Sequence, residues 1–209
     1  MLNPIVEETL REFPGAPVNL QTFNDELCSA RSHVLKLISR HLTDFGDKFP
    51  GEACVDGYYP LTENVEWTTS FWTGQLWLAW EMTGEEKYRA LAEKHVRSFG
   101  LRIAGRCDTN THDLGFLYTL SCVSAWRLTG NRDARGFSLQ AAEALLERFH
   151  RKAEIIQAWG VLTDPEQAGR MIIDCTMNLP LLYWATINPP AIRRPGMEIP
   201  KVFITSWPA

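Results

Sequence analysis

Ala79-Trp80-Glu81-Met82-Thr83-Gly84 is matched, 46 residues later, by Ala125-Trp126-Arg127-Leu128-Thr129-Gly130. Each stretch closes an apolar run and ends on glycine, the residue that best accepts the left-handed turn after a helix. The run before the first is apolar on every face over residues 68–82, through Phe71, Trp72, Leu76, Trp77, Leu78, Ala79, Trp80 and Met82. The run before the second behaves likewise over 114–128, through Leu114, Phe116, Leu117, Tyr118, Leu120, Val123 and Trp126. The segments that follow carry a single stripe: Tyr88, Leu91, Ala92, Val96 and Phe99 within 85–104, then Ala142, Leu145, Leu146 and Phe149 within 133–153. A helix without a polar face is enclosed, and a striped one walls it.

The alternation extends in both directions. Residues 23–44 place Leu27, Ala30, Val34 and Ile38 on one face, with Thr22 and Asp25 as the expected cap. Residues 179–187 are again apolar, with Pro180 suited to a first turn and Asp174 just before it or in a preceding short turn. The predicted class is all-α, with three outer–inner helix pairs at a period near fifty. Set in a ring, such pairs make an α/α barrel; stacked, they make an α solenoid. No alternating strand pattern of any length competes. Where Thr-Gly is expected next, the chain has Pro189-Pro190, and five of its twelve prolines lie between 189 and 209. Residues 186–209 are therefore expected to be an irregular tail. A closed barrel of twelve helices needs roughly 300 residues or more, so about the first half is expected here.

Composition narrows the function. The 209 residues are 45% hydrophobic and 22% charged, with a net charge of −4 and no long basic run. Nucleic acid and anionic membrane surfaces are poor partners for such a chain. No stretch approaches the roughly 20 apolar residues that span a bilayer. The opening Met1-Leu2-Asn3-Pro4-Ile5-Val6-Glu7-Glu8 has neither basic nor apolar signal regions, so no signal peptide is expected. Five scattered cysteines without a Cys-x-x-Cys fit reduced thiols in a cytoplasm. Cys107 and His112 have ligand-like spacing, but no second pair joins them and no metal is expected. His33, His41, His95 and His150 fall on striped helices and are expected to be solvated. Eight tryptophans are the unusual figure.

In a ring of antiparallel pairs the inner helices run one way, and their N-termini share a rim. Before them stand Glu66-Trp67-Thr68-Thr69, Thr111-His112-Asp113-Leu114 and Ile172-Ile173-Asp174-Cys175. That arrangement would gather Trp67, Asp113 and Asp174. Asp113 alone reads as a helix cap. Asp174 sits among Met171, Ile172, Ile173 and Met177, where an acidic group is expensive to bury without a purpose. Trp72, Trp77, Trp80, Trp126 and Trp184 read as core, whereas Trp67 and Trp159 lie at helix ends or loops, where a ring can stack on a sugar. Two carboxylates over an aromatic floor suit acid–base chemistry on a saccharide.

At these residues the sequence resembles the unsaturated glucuronyl hydrolases, glycoside hydrolase family 88. The stretches that carry the resemblance are Trp67-Thr68-Thr69-Ser70-Phe71-Trp72-Thr73-Gly74, His112-Asp113-Leu114-Gly115-Phe116, Gln157-Ala158-Trp159-Gly160, and Ile173-Asp174 with Met177-Asn178-Leu179-Pro180-Leu181-Leu182. The resemblance runs from about residue 20 to Ala185; the sibling unsaturated rhamnogalacturonyl hydrolases share the fold and are the nearby alternative. The resemblance implies a six-hairpin α/α barrel and no metal or organic cofactor. It implies an acidic unsaturated oligosaccharide, the product of a polysaccharide lyase, as substrate. Its 4,5 double bond would be hydrated, with Asp174 as acid/base and Asp113 as the second essential carboxylate. Trp67, Trp159 and His112 are implied to contact the sugar. The family's further substrate-binding groups lie beyond Ala185, where residues 186–209 do not match.

Overall fold

In the computed structural model, which describes residues 19–188, the two Ala-Trp-x-x-Thr-Gly stretches end their helices by the same bonds. Thr83 Oγ1 donates to the Ala79 carbonyl and Thr129 Oγ1 to the Ala125 carbonyl, both at 2.7 Å. The Gly84 and Gly130 amides donate to the Trp80 and Trp126 carbonyls, with φ of 71° and 73°. The repeat is thus a helix stop written in backbone chemistry.

The helices are α1 (Leu20–Phe45), α2 (Thr69–Thr83), α3 (Glu86–Ala104), α4 (Leu114–Tyr118), α5 (Ser124–Thr129), α6 (Arg132–Glu147) and α7 (Cys175–Ile187). Two-residue strands β1 (Phe49–Pro50) and β2 (Leu61–Thr62) pair antiparallel, as do β3 (Phe149–His150) and β4 (Ile155–Ile156). The chain divides into two units between Leu37 and Ile38. In the first, α1 is capped by Asn19, whose Oδ1 accepts from the Gln21 and Thr22 amides at 3.0 and 3.3 Å. Asn19 replaces the expected Thr22 cap because the helix begins three residues earlier than its apolar spacing suggested. Leu27 and Val34 of the expected stripe are exposed in this unit.

In the second unit Ile38 is buried. Here α3 packs on α2 and α6, while α4 packs on α2, α6 and α7. The enclosed runs form one layer and the striped helices the other. Ser70 Oγ donates to the Phe116 carbonyl, and further along Trp77 Nε1 donates to the Ser121 carbonyl at 3.1 Å. Contacts that advance together along both elements mean that the inner helices are parallel. Leu78, Met82 and Met177 are about half exposed, so the inner layer keeps an open flank.

Three boundaries differ from the sequence reading. The helix expected over 114–128 is interrupted by a π-helical turn at Thr119–Val123, where the Ser121 carbonyl accepts from the Trp77 indole as well as from the Ser124 amide. The helix expected over 133–153 stops at Glu147, because Gln157 pairs back on Arg148 (N–H to O, 2.9 Å) and turns the intervening residues into β3–β4. The last helix begins at Cys175 rather than 179, with Pro180 inside it. Its early start is possible because the carbonyls of Ile172, Ile173 and Asp174 accept from the amides of Cys175, Thr176 and Met177, satisfying first-turn donors. It runs to Ile187, two residues into the expected tail; residues 189–209 lie outside those described.

His95 is not solvated. It is 1% exposed, its ring lies 4.3 Å from that of Phe49, and its Nδ1 hydrogen-bonds Thr73 Oγ1 at 3.0 Å. His41 and His150 are half-buried, and His33 alone of the four is exposed. Burial lowers the His95 pKa to about 4 from 6.5, against the pull of Asp47. The unfolded chain therefore binds this proton more readily than the native one. Stability should be full above pH 6.5 and fall by about 3 kcal/mol as pH drops towards 4. Urea unfolding of wild type and His95→Gln between pH 7 and pH 4 should show a shallower loss in the variant; parallel curves would refute the assignment.

Candidate active site

The loop Thr109–His112 leads into α4, and a turn at 172–174 leads into α7, so two parallel helices begin side by side. Asp113 and Asp174 occupy the positions just before them. Neither side chain caps its own helix. Both carboxylates instead face His112, whose Nε2 lies 3.4 Å from Oδ1 of each. One oxygen from each aspartate and one His112 nitrogen fall within 4.8 Å of one another. The two aspartates, 61 residues apart in sequence, therefore share one site.

Their surroundings differ. Asp113 is 18% exposed and accepts a 2.6 Å bond from Thr111 Oγ1, which in turn accepts from the Asp113 amide at 3.1 Å. Burial holds its carboxyl above the ordinary carboxylate range, against the lowering pull of Thr111 and His112; the Asp174 charge adds to the rise. Asp174 is 35% exposed, yet its Oδ1 is buried without a hydrogen-bond partner. An acceptor left open beside a second carboxylate suits proton handling.

His112 sits beneath the carboxylates rather than on the rim. Its side chain is 1% exposed, and its amide donates to the Ala158 carbonyl at 2.7 Å. That burial sets its Nε2 against both aspartates rather than at the surface. Trp67 and Trp159 are each 45% exposed. Trp67 donates from Nε1 to Glu52 at 2.7 Å and meets Phe116, in the first turn of α4, edge-on at 6.5 Å. Trp159 is bridged through its backbone to Thr111, two residues before Asp113, with the Arg170 guanidinium 5.9 Å from its ring. Both residues thus flank the segment that carries Asp113.

Sequence reasoning missed the groups that fix this spacing. Asn178 is fully buried, and its Oδ1 accepts from the Phe116 amide at 3.0 Å, tying α7 to α4. Its place one turn after Asp174 was the available signal. Gly115 faces it: a Cβ there would lie 2.2 Å from Asn178 Cα and 2.4 Å from its carbonyl oxygen. Only a bare backbone allows the two helix starts to approach so closely. Thr111, two residues before Asp113, was legible only as a turn residue.

No family model matches the chain. The unsaturated glucuronyl hydrolase of Bacillus sp. (strain GL1) is 46% identical over 152 residues, 73% of this chain and 40% of that protein. Its crystal structure superposes with a TM-score of 0.73 at 44% identity, over 77% of this chain and 42% of that one. Over this stretch the chain is similar to the unsaturated glucuronyl hydrolases. The unsaturated chondroitin disaccharide hydrolase of Streptococcus pneumoniae (strain ATCC BAA-255 / R6) is 42% identical over 77% of this chain and 40% of the relative. An Asp-to-Asn variant of the unsaturated glucuronyl hydrolase of Streptococcus agalactiae, complexed with dGlcA-GalNAc6S, has a TM-score of 0.67 at 34% identity, over 78% of this chain and 38% of that one. The α/α-barrel class agrees with those structures. The chain spans about 40% of the length of the curated unsaturated glucuronyl hydrolases it matches. Among the described residues no helix is long and apolar enough to cross a membrane.

Proposed function

We propose that this chain carries the acid–base half of a site that hydrolyses unsaturated uronic-acid oligosaccharides by hydrating their 4,5 double bond. The observation that carries the reading is the meeting of Asp113 and Asp174 over a buried His112. Residues 1–185 are read as the N-terminal half of an α/α-barrel catalytic domain and 186–209 as a tail outside it. The dGlcA-GalNAc6S bound to the S. agalactiae relative supports an acidic disaccharide as the partner. Five free cysteines support a reducing compartment such as the cytoplasm.

Asp174 would give its proton to C4 of the vinyl ether, leaving positive charge shared between C5 and the ring oxygen. Water adds at C5 and returns a proton to the Asp174 carboxylate. The hemiketal then opens, and the C1 hemiacetal collapses to an aldehyde with release of the neighbouring sugar. Two carboxylates this close resist being charged together, so burial of Asp113 favours one proton on the pair. His112 Nε2 faces both carboxylates at 3.4 Å, and Trp67 and Trp159 offer faces to the sugar. The carboxylate oxygens lie within 4.8 Å of one another, short of the roughly 6.5–9.5 Å that an inverting displacement at C1 requires.

Incubation with an unsaturated chondroitin or hyaluronan disaccharide should remove the ultraviolet absorbance of the conjugated double bond. No loss beside an active full-length relative would refute the activity of this chain. His112, Asp113 and Asp174 are also a donor set that a divalent cation could use. A chelator should leave the rate unchanged, because the proton chemistry needs no ion; loss of activity restored by a metal would overturn it. The partial coverage of the relatives supports a second reading, an acidic-sugar binder without turnover. Saturable quenching of tryptophan fluorescence with no absorbance change would favour it.

A further inference from the structure

The 46-residue repeat that ends the inner helices also places a buried arginine at the end of α3 and of α6. Arg102 lies in the last turn of α3, and Arg148, 46 residues later, follows α6. They are 3% and 2% exposed, although charged residues at such positions ordinarily reach solvent. A charge so enclosed is retained where its donors are consumed.

Arg102 Nε is buried without a partner, and the bonded donors of both arginines go to the rim loops. Arg102 Nη1 donates to the Val65 and Glu66 carbonyls at 3.3 and 2.9 Å, and also to Asn64 Oδ1 and Thr69 Oγ1. Its Nη2 donates to the carbonyl and carboxylate of Asp108, at 3.0 and 2.9 Å. One guanidinium therefore spans the residues just before Trp67 and the loop that leads to His112-Asp113. Glu66 and Asp108 are held at φ of 64° and 48°, left-handed conformations that a non-glycine keeps only under constraint. Arg148 Nε donates to the Gln157 carbonyl at 2.8 Å and Nη2 to the Gly160 carbonyl at 3.2 Å, bracketing Trp159. That loop then bonds the other: the His112 amide donates to Ala158 O, and the Gly160 amide to Asn110 O.

We infer that Arg102 and Arg148 are positioning residues, each using the planar fork of its guanidinium to hold a tryptophan-bearing loop at the rim and to seat the His112-Asp113 loop between the two. Lysine keeps the charge but has no fork, so it cannot bridge two carbonyls in the same geometry. The inference rests on the saccharide reading for its effect on binding, and on the geometry alone for its effect on the loops.

The test uses the full chain with Arg148→Lys and Arg102→Lys. In Arg148→Lys the amides of His112 and Gly160 should exchange hydrogen about tenfold faster, with Val96 and Ala79 in the helices unchanged. In Arg102→Lys the same local rise is expected at Val65. A uniform rise throughout the helices would overturn the proposal, since a merely structural arginine loosens the whole fold. This arm needs no ligand. In the second arm an unsaturated chondroitin disaccharide is titrated by tryptophan fluorescence. Arg148→Lys should raise Kd about tenfold in wild type, but less than about twofold in a Trp159→Ala background, because its effect passes through that ring. Equal losses in both backgrounds would overturn the inference. Failure of wild type to bind would refute the saccharide reading and leave the exchange arm to decide the arginines.

Discussion

Asp174→Asn is expected to lower turnover of an unsaturated disaccharide by about 10²–10⁴-fold, the range over which a positioned proton donor contributes. The change is nearly isosteric, and the carboxylate it removes neither caps α7 nor holds a hydrogen bond through Oδ1. Thermal unfolding should therefore be almost unmoved and KM altered far less than kcat, as expected when an interaction made in the transition state is lost. The measurement is the rate of absorbance loss at saturating substrate, paired with a melting curve. Turnover within a few-fold of wild type would remove Asp174 from the acid/base role. A large fall in stability would instead mean that its carboxylate supports the helix start.

Gly115→Ala should produce the largest loss of stability. The added methyl would meet backbone as well as side chain, 2.2 Å from Asn178 Cα and 2.4 Å from its oxygen, so no rotamer change relieves it. α4 and α7 must separate, which strains the packing and weakens the bond from the Phe116 amide to Asn178. Overpacking together with a poorly satisfied buried amide costs about 2–4 kcal/mol. Urea unfolding measures it. The same separation moves Asp113 away from Asp174, so any folded fraction should show reduced kcat. A change below about 0.5 kcal/mol would mean that the two helix starts are not in contact.

The inner–outer alternation was readable because it rests on local chemistry. A glycine after Ala-Trp-x-x-Thr stops a helix whatever surrounds it, and a run such as Trp72-Leu76-Trp77 has no face fit for water. The pairing of Asp113 with Asp174 followed from one further premise, that the inner helices share a direction. Other features were hidden by the same local view. His95, Arg102 and Arg148 look like the polar side of striped helices, and only the elements packed over them make them internal. The π-helical turn at Thr119–Val123 leaves the apolar pattern of its helix unchanged, so periodicity could not reveal it. The early start of α7 depends on a turn at 172–174 that supplies acceptors to its first amides.

Helix class and the order of enclosed and walling segments were determined by the sequence alone, because periodicity and helix-stop chemistry act within a few residues. Tertiary structure alone decided that His112 lies under the acids, that Asn178 and Gly115 set how closely their helices begin, and that two arginines tie the rim loops. Those are matters of distance between segments dozens of residues apart, where burial and donor geometry, not local preference, select the arrangement.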